Sequence, residues 1–477
     1  MIRWQEKIIS RLNIENSIST IVIDNTAVLS TDDFKRVLKD KIADFCYVKH
    51  GTELVSAVNR NTNLIITTGI NIPSFVQNRC TVLDFTYNQL PVECETAVFK
   101  RLNTEDLVNI LYLSDKAAIP YLTESNMTEF VDAARGYFYD SRAKWILEKA
   151  VRKAEELSNS NDVLEAGKLW GHYLYYSYKA RRMPEINDLH QFDSSFDRFW
   201  DSQMFEDSFF VSDSNCATVN KVCSCIKSRN ENKVALVCFD GMGFAEWLLL
   251  KSFLKGKGIF AFKERAVFSL IPSITMFARK SLFGAKYDDV FRCGNIDDAR
   301  AFSGFFNGED TAFFSENDTV TEEKLLGITH AGLLFNFFDD LGHNTVLPPG
   351  HTSKSVYFDN VVNYWNKSNV AENLNILKEN DYRIFFCSDH GNTLCRGNGQ
   401  KIEKYLVDKK SRRATIGNES VLMENYDLRK IRIPFIDTVF AFLAKGRECF
   451  GTYGEMSISH GGLTLEEMVV PFVEVIS

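Results

Sequence analysis

Several features that would assign a chain to a specialised class are missing from these 477 residues. No apolar run approaches the ~18 residues that a membrane helix needs, so we expect no membrane partner. The 11 cysteines are scattered, odd in number and without zinc-site spacing, which excludes a disulfide framework and favours a reducing compartment. The first residues do not resemble a signal peptide, and no repeat or low-complexity tract is present. These absences predict a cytoplasmic globular protein.

The charge balance also excludes one function. The formal net charge is −8, which argues against a protein that coats nucleic acid without specificity, although a local basic groove remains compatible with it. The chain is 45% hydrophobic and 13% aromatic, with 38 Phe residues. This composition is ordinary for globular proteins and predicts well-packed interiors. The length predicts two or three domains.

The distribution of apolar runs predicts three parts. In the first part, short β-branched strands alternate with helices, which is typical of a small parallel sheet; the predicted strands are Ile18–Ile23, Phe45–Val48, Asn63–Gly69 and Thr81–Phe85. From about Thr104 the apolar spacing becomes helical, and a polar stretch at 211–232 precedes the third part. We therefore predict a small N-terminal α/β domain over 1–103, a helical connector over 104–230 and a larger α/β domain over 231–477.

Three local features of the first two parts have an ordinary interpretation and a functional one. Asp24 follows the first predicted strand and could be a receiver-type phosphoacceptor, but we favour a structural or docking domain. Aromatic residues crowd 170–178 and 192–210; they could stack on bases, but core packing is the more common role. The cysteines at 216, 223 and 225 are interpreted as small buried hydrophobic residues.

The third part begins with an unbroken apolar run, Val234–Phe239, that ends on Asp240 and a glycine-rich turn. Such a run predicts a strand buried on both faces of a parallel sheet. Its last residue would lie at the carboxyl edge of the sheet, where open α/β folds bind ligands. An ionised carboxylate there needs a partner, and a metal ion is one candidate. A helix N-cap is the alternative role for Asp240.

A second junction of this kind contains a hydroxyl group. An apolar segment after Pro272 leads into Thr275, and a helix is expected to follow. A hydroxyl at a helix N-terminus is usually a cap, but the same position suits a nucleophile because backbone N–H groups there can hold phosphate. Arg279 lies one turn further along the same face and could bind phosphate oxygens.

Three more junctions add carboxylates and imidazoles. A long apolar run ends on Asp339, with His343 four residues later, so both side chains would converge if a helical turn forms. Another strand ends in adjacent Asp389 and His390, and His460 stands beside a Gly-Gly pair near the C-terminus. Together with Asp240 and Thr275, these residues are sufficient to bind two ions, and nitrogen and oxygen ligands suit zinc or manganese. Asp340 or His351 could replace a neighbouring ligand.

Five motifs in the last ~240 residues support a more specific hypothesis. They are Phe-Asp240-Gly-Met, Pro-Ser-Ile-Thr275 with Ala-Arg279 and Leu-Phe-Gly284, Asn-Phe-Phe-Asp339-Asp-Leu-Gly-His343, Ser-Asp389-His390-Gly, and Ser-His460-Gly-Gly-Leu-Thr-Leu-Glu-Glu-Met. In order and spacing this half of the chain resembles the PglZ family, a branch of the alkaline phosphatase superfamily that occurs in BREX-type phage-defence systems. The resemblance implies an alkaline-phosphatase-like sheet sandwiched by helices, preceded by the small α/β domain and the helical connector.

The resemblance also implies roles for these residues. Thr275 would be the nucleophile, in place of the serine of alkaline phosphatases, and Arg279 would assist it. Two divalent metal ions would be bound, one by Asp240, Thr275, Asp389 and His390, and the other by Asp339, His343 and His460. The family spacing favours Asp339 with His343 over Asp340 or His351.

A basic run follows the Asp389-His390 motif, and it includes Lys401, Lys404, Arg412 and Arg413. It is compatible with a polyanionic substrate bound by Lys401 and Lys404, or with a solvated loop. We expect a metal-dependent phosphodiesterase that acts on an oligonucleotide or cyclic nucleotide in bacterial anti-phage defence, with protein partners of the defence system. The alternatives are a phosphomonoesterase and a non-catalytic metal- or nucleotide-binding scaffold.

Overall fold

The structure is a computed structural model that divides into two compact units, residues 1–141 and 142–477. It describes residues 3–12, 19–210, 216–258, 261–286, 289–290, 297–307, 310–345, 347–348, 350–365, 368–402, 407–417, 419–434, 436 and 439–476. The predicted division into three domains, at 103/104 and 230/231, stays a prediction. By the contacts of the chain, most of the predicted connector belongs to the second unit.

The first unit contains a four-stranded parallel sheet with the order β2-β3-β1-β4. Its strands are β1 Thr20–Asp24, β2 Phe45–Val48, β3 Leu64–Thr67 and β4 Thr81–Phe85. The helices are α1 Trp4–Leu12, α2 Asp32–Lys41, α3 Gly51–Asn59, α4 Ser74–Gln77, α5 Thr96–Arg101 and α6 Thr104–Ser114, and α7 Met127–Glu155 continues into the second unit. Alternate residues of β3 enter two separate apolar cores, as expected for a strand covered by helices on both faces.

The carboxylate of Asp24, at the end of β1, is engaged by groups of the following turn. It accepts hydrogen bonds from the backbone N–H and the hydroxyl of Thr26 and from the N–H of Leu29. The side chain is buried, and the three bonds fix the turn that leads towards α2. This arrangement supports the structural interpretation of Asp24 over the phosphoacceptor.

The second unit is built on a six-stranded mixed sheet with the order β6-β17-β9-β5-β8-β7. Its strands are β5 Val234–Phe239, β6 Phe262–Phe268, β7 Thr311–Ser315, β8 His330–Phe335, β9 Arg383–Cys387 and β17 Val469–Val475. β5 runs parallel to β8 and β9, and β17 runs antiparallel to β6 and β9. All six residues of β5 are buried, so the predicted central strand before Asp240 is confirmed.

Two smaller sheets, one mixed and one antiparallel, and many helices complete this unit. The strands are β10 Thr393–Gly397, β11 Val407–Lys410, β12 Ala414–Gly417, β13 Arg429–Arg432, β14 Phe440–Leu443, β15 Glu448–Cys449 and β16 Met456–Ser459. The helices are α8 Ser160–Lys179, α9 Ile186–Asp193, α10 Asp197–Trp200, α11 Gln203–Asp207, α12 Val222–Lys227, α13 Phe244–Gly256, α14 Thr275–Leu282, α15 Asp298–Phe305, α16 Phe337–Asn344, α17 Ser355–Trp365, α18 Val370–Glu379, α19 Glu419–Asn425 and α20 Leu465–Met468. The predicted α/β class is confirmed.

One large apolar core joins the sheet to the helices that precede it in the chain. Trp170 on α8 stacks on Phe192 at a ring distance of 4.1 Å, and Phe199 and Phe205 pack against Phe268 of β6. The three cysteines at 216, 223 and 225 are buried in the same core. The core interpretation is therefore confirmed for these aromatic residues and cysteines, whereas Phe210, at the end of the same aromatic stretch, is 72% exposed. In the described residues, no helix has the length and apolar character required to span a membrane.

Candidate active site

The polar junctions predicted from the sequence meet at one edge of the large sheet. The neighbouring parallel strands β8, β5 and β9 all end there. Asp240 directly follows β5, Asp339 lies in the first turn of α16 after β8, and Asp389 and His390 follow β9. The carboxyl ends of parallel strands share one edge, so segments up to 150 residues apart in sequence are brought into contact.

The first group at this edge consists of Asp240, Asp389 and His390, all of them buried. The His390 Nε2 atom lies 3.4 Å from Asp240 Oδ1 and 3.5 Å from Asp389 Oδ2. Both of those carboxylate oxygens are buried and have no hydrogen-bond partner among the residues that the structure describes. Because a buried unpaired carboxylate oxygen is costly, these two atoms are suited to bind a cation.

The second group consists of Asp339, His343 and His460. Asp339 lies between the two imidazoles: His343 Nε2 is 3.4 Å from its Oδ2, and His460 Nε2 is 3.4 Å from its Oδ1. The i,i+4 spacing of Asp339 and His343 on α16 places both side chains on one face, as predicted. His460 is buried, whereas His343 is partly open to solvent, so this group lies nearer the surface.

The two groups are in direct contact. The rings of His390 and His460 stack at 3.9 Å with an angle of 10°, and the Asp339 N–H donates to the Asp240 carbonyl at 3.2 Å. Gly241 makes this approach possible: its φ is +77°, and a Cβ there would lie 3.1 Å from the Asp339 nitrogen. Two ions bound to these groups would therefore be close neighbours.

Backbone carbonyls fix the orientation of two imidazoles. His390 Nδ1 lies 3.0 Å from the Gly391 carbonyl oxygen, and His460 Nδ1 lies 2.9 Å from that of Ser273. A carbonyl oxygen can only accept, so each Nδ1 carries the proton and each Nε2 of a neutral ring has a free lone pair. Both Nε2 atoms face the carboxylates, which is the usual arrangement of histidine ligands to metals.

Thr275 lies beside the first group. It is the first residue of α14, and its Oγ1 is 2.7 Å from His390 Nε2. Because this Nε2 is an acceptor in the neutral ring, the threonine hydroxyl donates to it. The side chain is half-buried, so the hydroxyl is close to the carboxylates and still reachable from solvent.

Arg279 is engaged by protein groups in this structure. Its Nη1 donates to Asp240 Oδ2 at 2.6 Å and to Asn336 Oδ1 at 2.9 Å, and its Nε lies 2.9 Å from Asp298 Oδ2. These contacts hold one oxygen of Asp240 and leave the other oxygen, Oδ1, directed towards His390. The phosphate-binding role of Arg279 stays a prediction.

Burial and mutual repulsion perturb the acids of the first group. Burial raises the pKa of Asp389 to about 7, with a further contribution from the charge of Asp339, and burial also raises the pKa of Asp240 far above its ordinary value. Burial and the nearby His390 lower the pKa of His460 to about 4. For Asp339, burial is outweighed by hydrogen bonding from His343 and by the neighbouring imidazoles, so its pKa lies below the ordinary value. A cation would offset the cost of ionising Asp240 and Asp389.

Divalent metal ions fit these groups. Within each group the available ligand atoms lie within 4.8 Å of one another, and the first group has two unpartnered carboxylate oxygens. Nitrogen and oxygen ligands are preferred by zinc and manganese. Among the residues that the structure describes, Asp340 and His351 belong to neither group.

The residues of the basic run differ in their exposure to solvent. Lys401 is exposed, and Lys404 lies outside the described residues. Arg413 is completely buried and pairs with Glu467, so it belongs neither to a polyanion surface nor to a solvated loop. The sequence interpretation of Arg413 as an exposed basic residue is therefore wrong, because a buried carboxylate on a distant segment neutralises it.

Sequence reasoning did not assign roles to two residues that organise the site. Asn336 accepts from Arg279, and Ser273 connects the Thr275 segment to the His460 loop through its carbonyl and its hydroxyl. Ser273 belongs to the Pro-Ser-Ile-Thr275 motif, but a serine two residues before Thr275 carries no distinct signal. The partner of Asn336 could not be inferred, since Arg279 is 57 residues away.

Comparison with known proteins agrees with the predicted resemblance. The model of the BREX system PglZ alkaline phosphatase-like domain matches residues 300–475. No curated protein sequence matches the chain significantly.

Several solved structures with low sequence identity align with about half of this chain. Murine ectonucleotide pyrophosphatase/phosphodiesterase 5 has 13% identity and a TM-score of 0.35, over 50% of this chain and 87% of that one. Phosphonoacetate hydrolase from Sinorhizobium meliloti 1021 has 13% identity and a TM-score of 0.29, over 51% and 89%. The C-terminal periplasmic domain of EcEptC from Escherichia coli has 13% identity and a TM-score of 0.24, over 52% and 72%. The family match therefore shows that residues 300–475 of this chain are similar to the PglZ alkaline phosphatase-like domain of BREX systems.

Proposed function

We propose that this protein is a metal-dependent phosphodiesterase that uses Thr275 as its nucleophile and acts on nucleotide or nucleic-acid substrates in bacterial anti-phage defence. The observation that carries the proposal is the position of the Thr275 hydroxyl, 2.7 Å from His390 and beside two adjoining acid–imidazole groups. The match to the BREX system PglZ domain supports the defence role. The cytoplasmic location and the protein partners belong to the same proposal.

The residues of the two groups would hold two divalent ions, zinc or manganese. Asp240, Asp389, His390 and the Thr275 hydroxyl would hold one ion, and the second group would hold the other. Such ions supply positive charge that lowers the pKa of a hydroxyl and stabilises charge on a phosphoryl group.

The chain's own residues would position the reaction. Thr275 Oγ loses its proton and attacks phosphorus, the bond from phosphorus to the departing alkoxide oxygen breaks, and the product alcohol takes up a proton. A phosphodiester between Thr275 and the remaining alkoxy group is left, and water cleaves its bond from phosphorus to Oγ, which releases a phosphate monoester and restores the hydroxyl. Thr275 begins α14, whose first N–H groups have no partner within the helix and can hold phosphoryl oxygens. Arg279 holds Asp240 throughout.

A comparison of two chromogenic substrates tests the proposal. Hydrolysis of bis-p-nitrophenyl phosphate and p-nitrophenyl phosphate is measured with Zn²⁺ or Mn²⁺, for the wild type, Thr275→Ala and Thr275→Ser. We expect the wild type to cleave the diester faster than the monoester. The rate of diester cleavage should fall at least about 1000-fold in Thr275→Ala. Thr275→Ser should keep part of the wild-type rate, because serine retains the hydroxyl. Metal content of Thr275→Ala should stay near that of the wild type.

Three results would contradict parts of this proposal. Faster cleavage of the monoester would indicate a phosphomonoesterase. A near-normal rate in Thr275→Ala would show that Thr275 is not the nucleophile. No cleavage of either ester by metal-loaded wild type, alone and with its defence-system partners, would favour the non-catalytic scaffold.

The basic run supports a polyanionic substrate and has its own test. Lys401→Ala should raise the KM for a short oligonucleotide at low salt and leave the KM for bis-p-nitrophenyl phosphate unchanged, since exposed lysines attract phosphates in a salt-dependent manner. Equal KM values for the oligonucleotide would remove Lys401 from the substrate-binding residues. The same comparison applies to Lys404→Ala.

A further inference from the structure

Glu467 is a fully buried carboxylate that has no part in the proposed chemistry. It lies seven residues after His460, in the Leu-Thr-Leu-Glu-Glu-Met segment of the last motif. We propose that Glu467, together with Arg413, is the positioning residue that holds the His460 loop in the conformation required to bind the second metal ion. The inference deepens the proposed function and rests on it.

Five hydrogen bonds converge on this one carboxylate. Two come from Arg413, from Nε to Oε1 at 2.8 Å and from Nη2 to Oε2 at 3.2 Å. The other three come from the loop itself: the Gly462 N–H donates at 2.8 Å, the Thr464 N–H at 3.1 Å and the Thr464 hydroxyl at 2.8 Å. Glu467 therefore fixes the backbone two residues after His460, where a rotation of the chain would move the imidazole.

Arg413 connects the same loop to the turn between β11 and β12. The Ser411 hydroxyl donates to the His460 carbonyl at 3.3 Å and accepts from the Arg413 N–H at 3.2 Å. The fit is close: a Cβ at Gly462 would lie 2.3 Å from Arg413 Nη2. His460 is thus held from both sides, by Ser411 at its carbonyl and by the Glu467–Arg413 pair beyond it.

The preceding glutamate provides a matched comparison within the same short helix. Glu466 is also buried and charge-paired, but its side chain accepts from Lys354 at 3.1 Å and from Arg447 at 2.6 Å. The side-chain contacts of Glu466 thus lie outside the His460 loop: they are with these two cations and with the Trp170 indole N–H at 3.5 Å. Replacing either glutamate removes one buried negative charge from a cation, yet only Glu467 loses contacts to the His460 loop.

The physical effect of Glu467 would be pre-organisation of a metal ligand. Groups that orient ligands without touching the ion typically account for 10- to 100-fold in metal affinity. In Glu467→Gln the amide can replace one acceptor but places N–H donors against the Thr464 or Gly462 donors, so the loop must shift. We expect the affinity of the second metal site to fall by about 10- to 100-fold, with the first site changed less than twofold.

Zn²⁺ titration against a chromophoric chelator tests this inference without using catalysis. The wild type is expected to bind two ions, and the step lost in His460→Ala is assigned to the second site. That step is then compared in Glu467→Gln and in the control Glu466→Gln, after circular dichroism shows that each variant is folded. If Glu467→Gln does not fold, the same titration is made with the double variant Arg413→Leu/Glu467→Gln, which removes both members of the charge pair.

The inference is supported if Glu467→Gln weakens the His460-dependent step and Glu466→Gln leaves that step within twofold. A folded Glu467→Gln with unchanged second-site affinity would overturn it, and so would an equal loss in Glu466→Gln. Failure of the proposed function is distinguishable, because a wild type that binds no ion would reveal it before any variant is compared, and that result would overturn this inference as well.

Discussion

Asp389→Asn should stabilise the protein without metal and greatly reduce its stabilisation by metal. Asp389 Oδ2 is buried, and within the described part of the chain neither it nor Asp240 Oδ1 has a hydrogen-bond partner. Asparagine retains an oxygen that can accept from the His390 N–H, as Asp389 Oδ1 does at 3.0 Å. Its Nδ2 can donate towards Asp240, so a repulsive pair of carboxylates becomes a hydrogen-bonded pair.

The raised pKa gives the magnitude and the pH window. Burial raises the pKa of Asp389 from 3.8 to about 7. Below pH ~4 the Asp389 carboxyl is protonated in both the folded and the unfolded protein, so its burial causes no pH-dependent loss of stability. Between pH ~4 and ~7 only the folded protein keeps the proton, and stability therefore falls as the pH rises. At ~1.4 kcal/mol per pKa unit, the metal-free penalty is about 2 kcal/mol at pH 5 and about 4 kcal/mol above pH 7.

The free energy of unfolding is measured with urea in EDTA between pH 5 and 8.5 for the wild type and for Asp389→Asn. The control is Asp340→Asn, a change at the exposed residue that follows Asp339. We expect Asp389→Asn to exceed the wild type by up to about 4 kcal/mol at pH 8 and by less at pH 5. With Zn²⁺ at ~1000 times its Kd, the wild type should gain about 4 kcal/mol and the variant much less. An Asp389→Asn protein that is less stable than the wild type in EDTA at pH 8 would refute the reasoning, because the charge would then contribute to folding.

Two further variants test the structure around this site. Arg279→Met should lower the metal affinity of the first site by about 10- to 100-fold, because Asp240 Oδ2 loses its partner at 2.6 Å. Metal titration measures this affinity. An unchanged affinity with a raised KM would instead support direct binding of substrate phosphate by Arg279. Gly391→Ala should fail to fold or lose several degrees in Tm, since its Cβ would lie 1.8 Å from the Glu466 carbonyl oxygen; a wild-type Tm by thermal denaturation would contradict the described packing.

The elements that could be predicted from the sequence are those with a strong local pattern. The apolar run before Asp240 is a buried strand, and the strands of the first unit lie within a few residues of their predicted positions. The two acid–imidazole groups contain the residues that the motifs indicated, because each motif marks the end of a strand or the start of a helix. Roles that depend on a distant partner were not predictable, as Arg413 demonstrates: its charge suggested exposure, but Glu467 neutralises it in the core.

The sequence by itself determined which residue types stand at which junctions, and through them the α/β class and the set of candidate ligands. It could do so because strand burial and helix capping depend on neighbours within a few residues. Tertiary structure alone decided that His390 stacks on His460, that Asp240 is held by Arg279, and that Glu467 joins the His460 loop to Arg413. His390 and His460 are 70 positions apart, Asp240 and Arg279 are 39 positions apart, and Glu467 and Arg413 lie in separate segments. Only the order of strands in the folded sheet brings these residues together.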